Sequence, residues 1–230
     1  MTISSSTFAQ LQIRVLRSLL FRLNNYFSRL EAFFFHKYLK QTDAANTGAI
    51  FTFTNKRELR SLYNLASACP HGAVALEIGA YLGASSCYLA AGLGRVNGHL
   101  FCVDTWQNET MPDGERDTFT EFQNNTSGVR HRITTIRKKS DEISDRDIRV
   151  PLNLVFIDGD HSYAAVKSDF DCVRQWLASD GIIAFHDFSV SDYEGVTRVV
   201  GEALASGKWM IAGCVDSRVS ASQTLLTGGS

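Results

Sequence analysis

Two apolar segments of this chain end in acidic and imidazole side chains. The segment FIDGDH carries Asp158 and His161, and the segment AFHDF carries His186 and Asp187. Carboxylates and imidazoles bind divalent cations, and imidazole also exchanges a proton near neutral pH. If the fold brings the ends of these segments together, they predict a site for cation binding or proton transfer.

A third segment, EIGAYLGASS, places Gly79 and Gly83 at the end of another apolar run. Glycines allow the backbone to approach a ligand, and a helix that begins after such a turn presents partial positive charge there. Asp104 ends the next apolar run, at the separation from Gly79 expected for a carboxylate that accepts hydrogen bonds from a ribose diol. The turn and the acid together favour a cofactor that contains a nucleoside.

Two common nucleotide motifs do not match this turn. A dinucleotide fingerprint requires a second glycine where Tyr81 stands, because a pyrophosphate must sit against the amino end of the helix. A P-loop requires Gly-Lys-Ser or Gly-Lys-Thr, and neither follows the turn. The pattern therefore disfavours a nicotinamide oxidoreductase.

Strand-like and helix-like segments alternate from a capping box at Asn55 and Glu58 onward, and they must position these side chains. The strand-like runs are AVALEIG, HLFCVD, RITTIRK, LNLVFID and GIIAFHD, followed by KWMIAGCV and SQTLLTG. Helices are expected from Ala84, Asp117, Tyr163 and Glu194. This alternation predicts an α/β fold: a Rossmann-like, doubly wound, mostly parallel seven-stranded sheet with a terminal antiparallel hairpin. Ligands of such sheets bind at the carboxyl ends of the strands.

Residues 9–40 have a different character. Apolar residues recur at helical spacing, and six basic residues accompany a single acid, Glu31, which predicts a basic amphipathic helix. Such a helix packs on the domain or on a second subunit, which is the favoured interpretation, or it binds an anionic membrane surface. The expected organisation is an amphipathic helical arm and linker over residues 1–45 and a globular domain over residues 46–230, assembled as a homo-oligomer.

The composition limits the partners. The formal net charge of the 230 residues is −1, so no overall basicity predicts nucleic-acid binding, and the expected partner is a small molecule. No eighteen consecutive apolar residues occur, which predicts no membrane span. The five cysteines include no C-x-x-C pair, and most lie in apolar segments, which is typical of a reduced, cytoplasmic protein.

The glycine turn and the acid at Asp104 give residues 55–225 a resemblance to the class I methyltransferases that use S-adenosylmethionine. The resemblance implies that the turn passes the methionine part of the cofactor, that Asp104 holds the ribose, and that residues after the third strand flank the adenine. It implies a methyltransferase domain over residues 46–230. The residues it assigns to the cofactor are Glu77, Gly79, Ala80, Tyr81, Gly83, Ser85, Asp104, Thr105, Trp106, Ser140, Asp141 and Asp158.

The two segments at 158 and 187 resemble a narrower branch of these enzymes, which includes metal-dependent sugar and macrolide O-methyltransferases and cephalosporin-tailoring proteins. In that branch, an acid after the fourth strand and an acidic pair after the fifth bind a divalent cation, and a nearby histidine is the base. The matching residues are Asp158, His186 and Asp187 for the metal and His161 for the base. The resemblance also implies that Asp158 and Asp187 orient the acceptor hydroxyl.

His186 departs from this pattern, because the relatives carry an acid there. Imidazole is a poor ligand for Mg²⁺ and a good one for Zn²⁺, Fe²⁺, Mn²⁺ or Co²⁺. Three alternatives follow. The metal differs, or His186 turns away and Asp158 with Asp187 and water holds a weaker site, or no metal binds.

The function that the resemblance implies is transfer of a methyl group from S-adenosylmethionine to a hydroxyl of a sugar or other small polar metabolite. The chemistry agrees, because a cation held by carboxylates favours deprotonation of a hydroxyl and histidine can take the proton. The alternative is a non-catalytic partner or scaffold subunit that binds S-adenosylmethionine. Formation of S-adenosylhomocysteine with candidate acceptors separates the two.

Three loop features are expected beside this site. Asp160 is assigned to turn or capping chemistry at the start of the following helix. Asp192 and Tyr193 follow the fifth strand and are expected to line the acceptor pocket. The long polar segment from Gln107 predicts a mobile cover over the site.

Overall fold

The computed structural model describes residues 47–108, 114–216 and 218–223, together with several positions between 19 and 39. The chain divides into two compact units, Met1–Thr42 and Asp43–Ser230.

The described positions of the first unit, between residues 19 and 39, are helical. Residues 9–18 of the predicted helix lie outside the described residues. Leu19, Leu23 and Phe33 belong to the predicted apolar face, and each exposes more than half of its surface. Within the described parts of the chain, no helix is both long and apolar enough to cross a membrane.

Seven strands form one sheet in the second unit. They are β1 Val74–Ile78, β2 His99–Asp104, β3 Ile133–Arg137, β4 Leu152–Ile157, β5 Leu177–Phe185, β6 Trp209–Val215 and β7 Arg218–Gln223. Their order is β3-β2-β1-β4-β5-β7-β6. The first five strands run parallel, and β7 pairs antiparallel with β5 and β6. The predicted α/β, Rossmann-like and mostly parallel architecture is confirmed.

Among the described residues of the second unit, five α-helices connect or precede these strands. They are α1 Lys56–Ser67, α2 Ala84–Gly94, α3 Phe119–Asn125, α4 Tyr163–Val173 and α5 Glu194–Ala205. Helix α1 contacts α2, and α4 contacts α5. Successive strand residues point to opposite faces of a sheet. Ile78 and Phe185 therefore join the hydrophobic core with α4 and α5, while Glu77 and His186 point the other way, toward α2 and α1.

Helix α1 begins at the predicted capping box. Asn55 Oδ1 accepts hydrogen bonds from the backbone N–H groups of Arg57 and Glu58, at 2.9 and 3.1 Å. Glu58 Oε2 accepts the backbone N–H of Asn55 in return, at 3.2 Å. Leu59 and Leu62, on the next turn, are buried in the core. The cap and these contacts fix the direction of the Glu58 side chain.

Three predicted boundaries are wrong. Strand β5 begins at Leu177, four residues before the predicted start, because Leu177 already pairs with Leu152 across a register shift in β4. Helix α4 ends at Val173 for the same reason. Strand β7 begins at Arg218, where its pairing with β6 starts at Val215, and not at the SQTLLTG segment. Residues 224–230 lie outside the described residues.

The parallel ladder extends beyond the strand ends and sets the register of the polar residues that follow. Gly79 N donates to Val103 O at 3.0 Å, Asp158 N donates to Ile78 O at 2.9 Å, and His186 N donates to Ile157 O at 3.1 Å. The residues after β1, β4 and β5 are therefore held side by side at one edge of the sheet.

Candidate active site

The carboxyl ends of the parallel strands open into one cavity of about 980 Å³. This volume lies at the upper end of the range for small-molecule sites. The cavity is lined both by the glycine turn after β1 and by the acidic and imidazole segments after β4 and β5. The predicted residues among its lining are Gly79, Ala80, Tyr81, Ser85, Asp104, Thr105, Ser140, Asp141, Asp158, His161, His186 and Asp187.

The glycine turn lies directly against the end of β4. Gly79 has φ +85°, and a Cβ atom there would lie 2.0 Å from the carbonyl oxygen of Asp158. A side chain at position 79 would therefore collide with backbone. The close approach requires glycine and joins the predicted cofactor turn to the predicted metal residue.

Asp104 holds the glycine turn in place. Its Oδ2 accepts the backbone N–H groups of Ala80 and Tyr81, both at 2.8 Å, and its Oδ1 accepts the N–H of Trp106 at 2.7 Å. A carboxylate has about four acceptor positions, so three are already used. Asp104 therefore retains capacity for about one ribose hydroxyl. The sequence pattern predicts that it binds both hydroxyls of the ribose and does not predict its hydrogen bonds to the turn.

Three residues assigned to the cofactor from the sequence do not line the cavity. Glu77 points to the opposite face of the sheet and is fully buried. Gly83 is the N-cap residue just before α2, and a Cβ atom there would meet the side chains of Thr126 and Phe122. These two residues lie behind the glycine turn, outside the lining of the cavity.

Trp106 is the third of these residues, and its indole ring is completely buried. The ring packs between Phe119 and Phe122, with ring centroids 4.9 and 4.8 Å away. Its Nε1 donates to the carbonyl oxygen of Tyr81 at 3.1 Å. Because Trp106 has φ +52°, the backbone turns its side chain inward. Trp106 positions the glycine turn from below.

Glu77 carries a carboxyl group that has few partners. Ser86 Oγ donates to Oε2, and Cys102 Sγ donates to the same atom at 3.4 Å. Within the described residues, Oε1 has no hydrogen-bond partner. Burial raises the pKa of Glu77 to about 7, against the neighbouring Ser85 and Ser86 hydroxyls and the Cys102 thiol, which lower it. This carboxyl group therefore changes charge near neutral pH.

Asp158, His161, His186 and Asp187 form one cluster at the edge of the sheet. One donor atom of each lies within 4.8 Å of the others. His161 Nε2 is 3.1 Å from Asp187 Oδ2 and 3.6 Å from Asp158 Oδ1. His186 Nδ1 is 3.1 Å from Asp158 Oδ1 and 3.3 Å from Asp187 Oδ2. The predicted meeting of the two segments is therefore present in the structure.

His161 is the member of the cluster best placed to exchange a proton. Its Nε2 is buried and lacks a well-directed hydrogen-bond partner among the described residues. The ring lies against Tyr193, with centroids 4.3 Å apart and planes at 33°. Tyr193 therefore fixes the ring while Nε2 faces the two aspartates.

His186 does not turn away from the cluster. The ring is 5% exposed, and its second nitrogen, Nε2, donates to Glu58 Oε2 at 3.2 Å. Burial opposes the charged form of His186, but the charge of Asp158 and hydrogen bonds with Asp158, Asp187 and Glu58 raise its pKa to about 12. Both ring nitrogens thus face carboxylates.

Asp158 and Asp187 are held in the cluster in different ways. Burial disfavours the charge of Asp158, but the imidazoles of His186 and His161 outweigh it and lower the pKa of Asp158. Asp187 has φ +54°, a left-handed conformation that a non-glycine residue rarely adopts. Neighbouring imidazoles therefore stabilise the carboxylate of Asp158, whereas the carboxylate of Asp187 is held in place by a strained backbone.

The cluster fits a divalent cation. One potential ligand atom of each of the four side chains lies within 4.8 Å of the others. Nδ1 of His186 is close to an oxygen of each aspartate, and its other ring nitrogen is hydrogen-bonded to a carboxylate. A metal-ligating histidine usually donates its second N–H to a carboxylate or carbonyl in this way. Asp158, Asp187 and Nδ1 of His186 would hold the metal, and Nδ1 would have to be deprotonated to bind it.

Sequence reasoning missed three contributors to the site. Glu58 was interpreted only as a capping residue, although it also reaches His186. Asp169 lies in α4 and lines the cavity, where burial and then the charges of Asp160 and Asp141 raise its pKa to about 6, while the Ser140 hydroxyl lowers it. An acid on the buried stripe of that helix was the available signal.

The third contributor is the segment Phe51–Thr54, which was interpreted as linker and which lines the cavity. Phe53 lies beside Tyr81, with ring centroids 6.1 Å apart. Two aromatic residues that alternate with threonine, in the stretch FTFT, were the signal for a structured segment.

The neighbouring loops take the places that the sequence indicated. Asp160 Oδ1 accepts the N–H of Ser162 at 2.7 Å, which is the predicted turn role. Asp192 and Tyr193 line the cavity after β5. Residues 109–113 of the predicted mobile cover lie outside the described residues, so that part stays a prediction.

Comparisons with known proteins support the resemblance to methyltransferases. Residues 76–188 match the model of a family described as a methyltransferase domain. The matched segment runs from within β1 to just after the acidic and imidazole cluster, and so contains the glycine turn and Asp158. Together with the fold, the match supports methyl transfer that uses S-adenosylmethionine.

Solved structures share the fold at low sequence identity. The O-methyltransferase TomG from Streptomyces achromogenes, involved in tomaymycin synthesis and solved with S-adenosylmethionine, is 18% identical, with a TM-score of 0.57 over 74% of this chain and 81% of TomG. CalS11, a TDP-rhamnose 3'-O-methyltransferase of calicheamicin biosynthesis, is 16% identical, with a TM-score of 0.53 over 71% and 76%.

An rRNA methylase from Streptococcus thermophilus is 10% identical, with a TM-score of 0.53 over 75% of this chain and 99% of that chain. Proteins with different acceptors therefore share the fold. These likenesses show a Rossmann-like methyltransferase fold.

Proposed function

We propose that this protein transfers a methyl group from S-adenosylmethionine to a hydroxyl of a sugar or other small polar metabolite, with the aid of a divalent cation. The observation that carries the proposal is one cavity lined both by the Gly79 turn and by His161 between two aspartates. TomG and CalS11 are O-methyltransferases with the same fold. An oxygen acceptor is therefore the most direct use of a base at this edge of the sheet.

The residues proposed to hold the cofactor lie around the glycine turn. The turn at Gly79 would contact the methionine part, Asp104 would accept one ribose hydroxyl, and Ser140 with Asp141 would flank the adenine. S-adenosylmethionine supplies a methyl group that is already activated on a sulfonium sulfur. The protein therefore has to align the acceptor oxygen, the methyl carbon and the sulfur more than it has to activate the donor.

His161 is the proposed general base. Its Nε2 accepts the proton of the acceptor hydroxyl as the oxygen forms a bond to the methyl carbon and the carbon–sulfur bond breaks. Asp187, 3.1 Å from that nitrogen, stabilises the imidazolium that results. Tyr193 holds the ring in the required orientation.

Asp158, Asp187 and His186 Nδ1 are the proposed cation ligands. A cation there would orient the acceptor hydroxyl and favour its deprotonation by charge. Asp158 and Asp187 would thus serve both the cation and the hydroxyl. His161 lies in the same cluster as these ligands, so the base and a cation bound there would act on the same acceptor oxygen.

The proposal extends to the rest of the chain. Residues 46–230 are the methyltransferase domain, with seven strands that end in an antiparallel hairpin, and residues 1–45 are an arm and linker. We expect a homo-oligomer that uses the arm, because apolar residues such as Leu23 and Phe33 are exposed on it. A cytoplasmic location is supported by the five cysteines, which are free thiols.

The test is formation of S-adenosylhomocysteine. The protein is incubated with S-adenosylmethionine, a divalent cation and a panel of sugar nucleotides, glycosides and small phenols, and product is measured by mass spectrometry. We expect product with a hydroxylated acceptor and loss of product in His161→Ala. Binding of S-adenosylmethionine without product from any acceptor class would favour the non-catalytic alternative.

A further inference from the structure

Helix α1 contributes a side chain to the candidate metal site from outside the strand ends that form it. Glu58 is 2% exposed, and its carboxylate lies on the far side of the His186 ring from the cavity. A carboxylate can only accept a hydrogen bond, so Nε2 of His186 carries the proton in the 3.2 Å contact with Glu58 Oε2. The contact therefore decides which ring nitrogen faces the cavity.

The other ring nitrogen of His186, Nδ1, lies near the carboxylate oxygens of the two aspartates. It is 3.1 Å from Asp158 Oδ1 and 3.3 Å from Asp187 Oδ2. A cation between these three atoms would be bound by one nitrogen and two carboxylate oxygens. Mg²⁺ prefers oxygen ligands in strict octahedral geometry, whereas imidazole suits Zn²⁺, Fe²⁺, Co²⁺ and Mn²⁺.

We propose that Glu58 is a positioning residue that sets the metal preference of this site: by accepting the Nε2–H of His186 it presents Nδ1 to the cavity, so that the site binds a first-row transition-metal cation in preference to Mg²⁺. The inference rests on the metal-binding part of the proposed function. It concerns which cation binds and which side chain imposes the choice.

The structure offers a specific variant for each part of this inference. Glu58→Gln replaces the carboxylate that accepts the Nε2–H of His186 by a neutral amide, whose oxygen is a weaker acceptor and whose NH2 group cannot accept. Glutamine also serves at this position of a capping box, so α1 keeps its first turn. His186→Asp places a carboxylate oxygen near the position of Nδ1, because both atoms are bonded to Cγ. Glu202→Gln, on the solvent side of α5, is the matched control for a glutamate-to-glutamine change.

The experiment is a titration of chelator-treated protein with Co²⁺, followed by its visible absorption, with Mg²⁺ and Zn²⁺ as competitors and circular dichroism to verify the fold. We expect the wild-type protein to bind Co²⁺ and Zn²⁺ more tightly than Mg²⁺. Loss of an outer carboxylate partner weakens metal binding about 10- to 100-fold, so Glu58→Gln should show that loss. Glu202→Gln should bind as the wild-type protein does.

The aspartate variant tests the donor atom itself. His186→Asp adds a carboxylate to Asp158 and Asp187 and places it beside the buried Glu58, which it would repel. The double variant Glu58→Gln with His186→Asp removes the repulsion between positions 58 and 186. In the double variant, we expect the preference to move from Co²⁺ toward Mg²⁺. A preference that does not move would contradict the role of Nδ1.

Two results would overturn the inference and leave the proposed function standing. One is wild-type binding of Mg²⁺ that equals or exceeds that of Co²⁺, and the other is unchanged Co²⁺ affinity in a folded Glu58→Gln variant. If the wild-type protein bound none of the three cations, the inference and the metal part of the proposed function would both fail. Methyl transfer measured in the presence of chelator would then show whether the remaining part holds.

Discussion

Glu77 makes the stability of the fold dependent on pH. Its carboxyl group is completely buried, and burial raises its pKa from 4.5 to about 7. The folded state therefore holds the proton more tightly than the unfolded state does. The resulting stabilisation is complete below pH 4.5 and is lost as the pH rises to about 7. The loss amounts to about 3 kcal/mol, since a tenfold change in proton affinity corresponds to about 1.4 kcal/mol.

The perturbation is Glu77→Gln, which keeps the size of the side chain and cannot ionise. The free energy of unfolding is measured by urea titration at pH 5 and pH 8 for both proteins, so that the groups they share cancel. Relative to the variant, the wild-type protein should lose about 2 to 3 kcal/mol between these pH values. Most of the total loss of stability falls between pH 5 and pH 8, because the pKa of 4.5 in the unfolded state lies just below this window and the pKa of about 7 in the folded state lies inside it.

Ser86 provides a second test of the same group. Its hydroxyl donates to Glu77 Oε2 and lowers the pKa of the carboxyl, so Ser86→Ala should steepen the loss of stability with pH. Parallel pH profiles for the wild-type protein and Glu77→Gln would refute the reasoning, because they would mean that the buried carboxyl titrates alike in the folded and unfolded states.

Three further predictions concern the site and the arm. Gly79→Ala should lower the free energy of unfolding by about 1 to 2 kcal/mol from its φ alone and further through the collision with Asp158 O, and it should weaken S-adenosylmethionine binding in calorimetry. Gly201→Ala, where a Cβ atom meets nothing within 4 Å, should be neutral or stabilising, and equal losses in both variants would contradict the close approach. His161→Ala should reduce turnover about 100-fold or more with cofactor affinity retained, and retained turnover would remove His161 as the base. Replacing Phe33 and Phe34 by serine should dissociate the oligomer in sedimentation equilibrium, whereas unchanged mass with loss of vesicle binding would indicate the membrane alternative.

Much of the fold could be predicted because its signals are local. Five apolar runs with polar ends identify buried parallel strands, and the rule that ligands bind at their carboxyl ends brings Asp158 and Asp187 together from separate segments. The capping box at Asn55 was likewise visible in four consecutive residues. The proximity of His161 to both aspartates follows from topology and needs no side-chain coordinates.

The parts that could not be predicted depend on contacts between distant residues or on side-chain direction. Glu58 and His186 are 128 positions apart, and nothing in the local pattern links a helix cap to a strand end. Trp106 follows Asp104 closely in sequence, yet a left-handed backbone turns its ring into the core. The sequence pattern does not give the first residues of β5 and β7, because pairing with a strand distant in sequence decides where each of them begins.

The contact between Glu58 and His186 also has a consequence for how this protein is made. Translation proceeds at roughly 5 to 20 residues per second, so Glu58 is synthesised some 6 to 26 seconds, in order of magnitude, before its partner His186, 128 positions later. During that interval the Glu58 carboxylate has no imidazole to pair with, and burying it unpaired is unfavourable. We therefore expect α1 to dock on the sheet late in synthesis, when the chain beyond residue 186 has emerged.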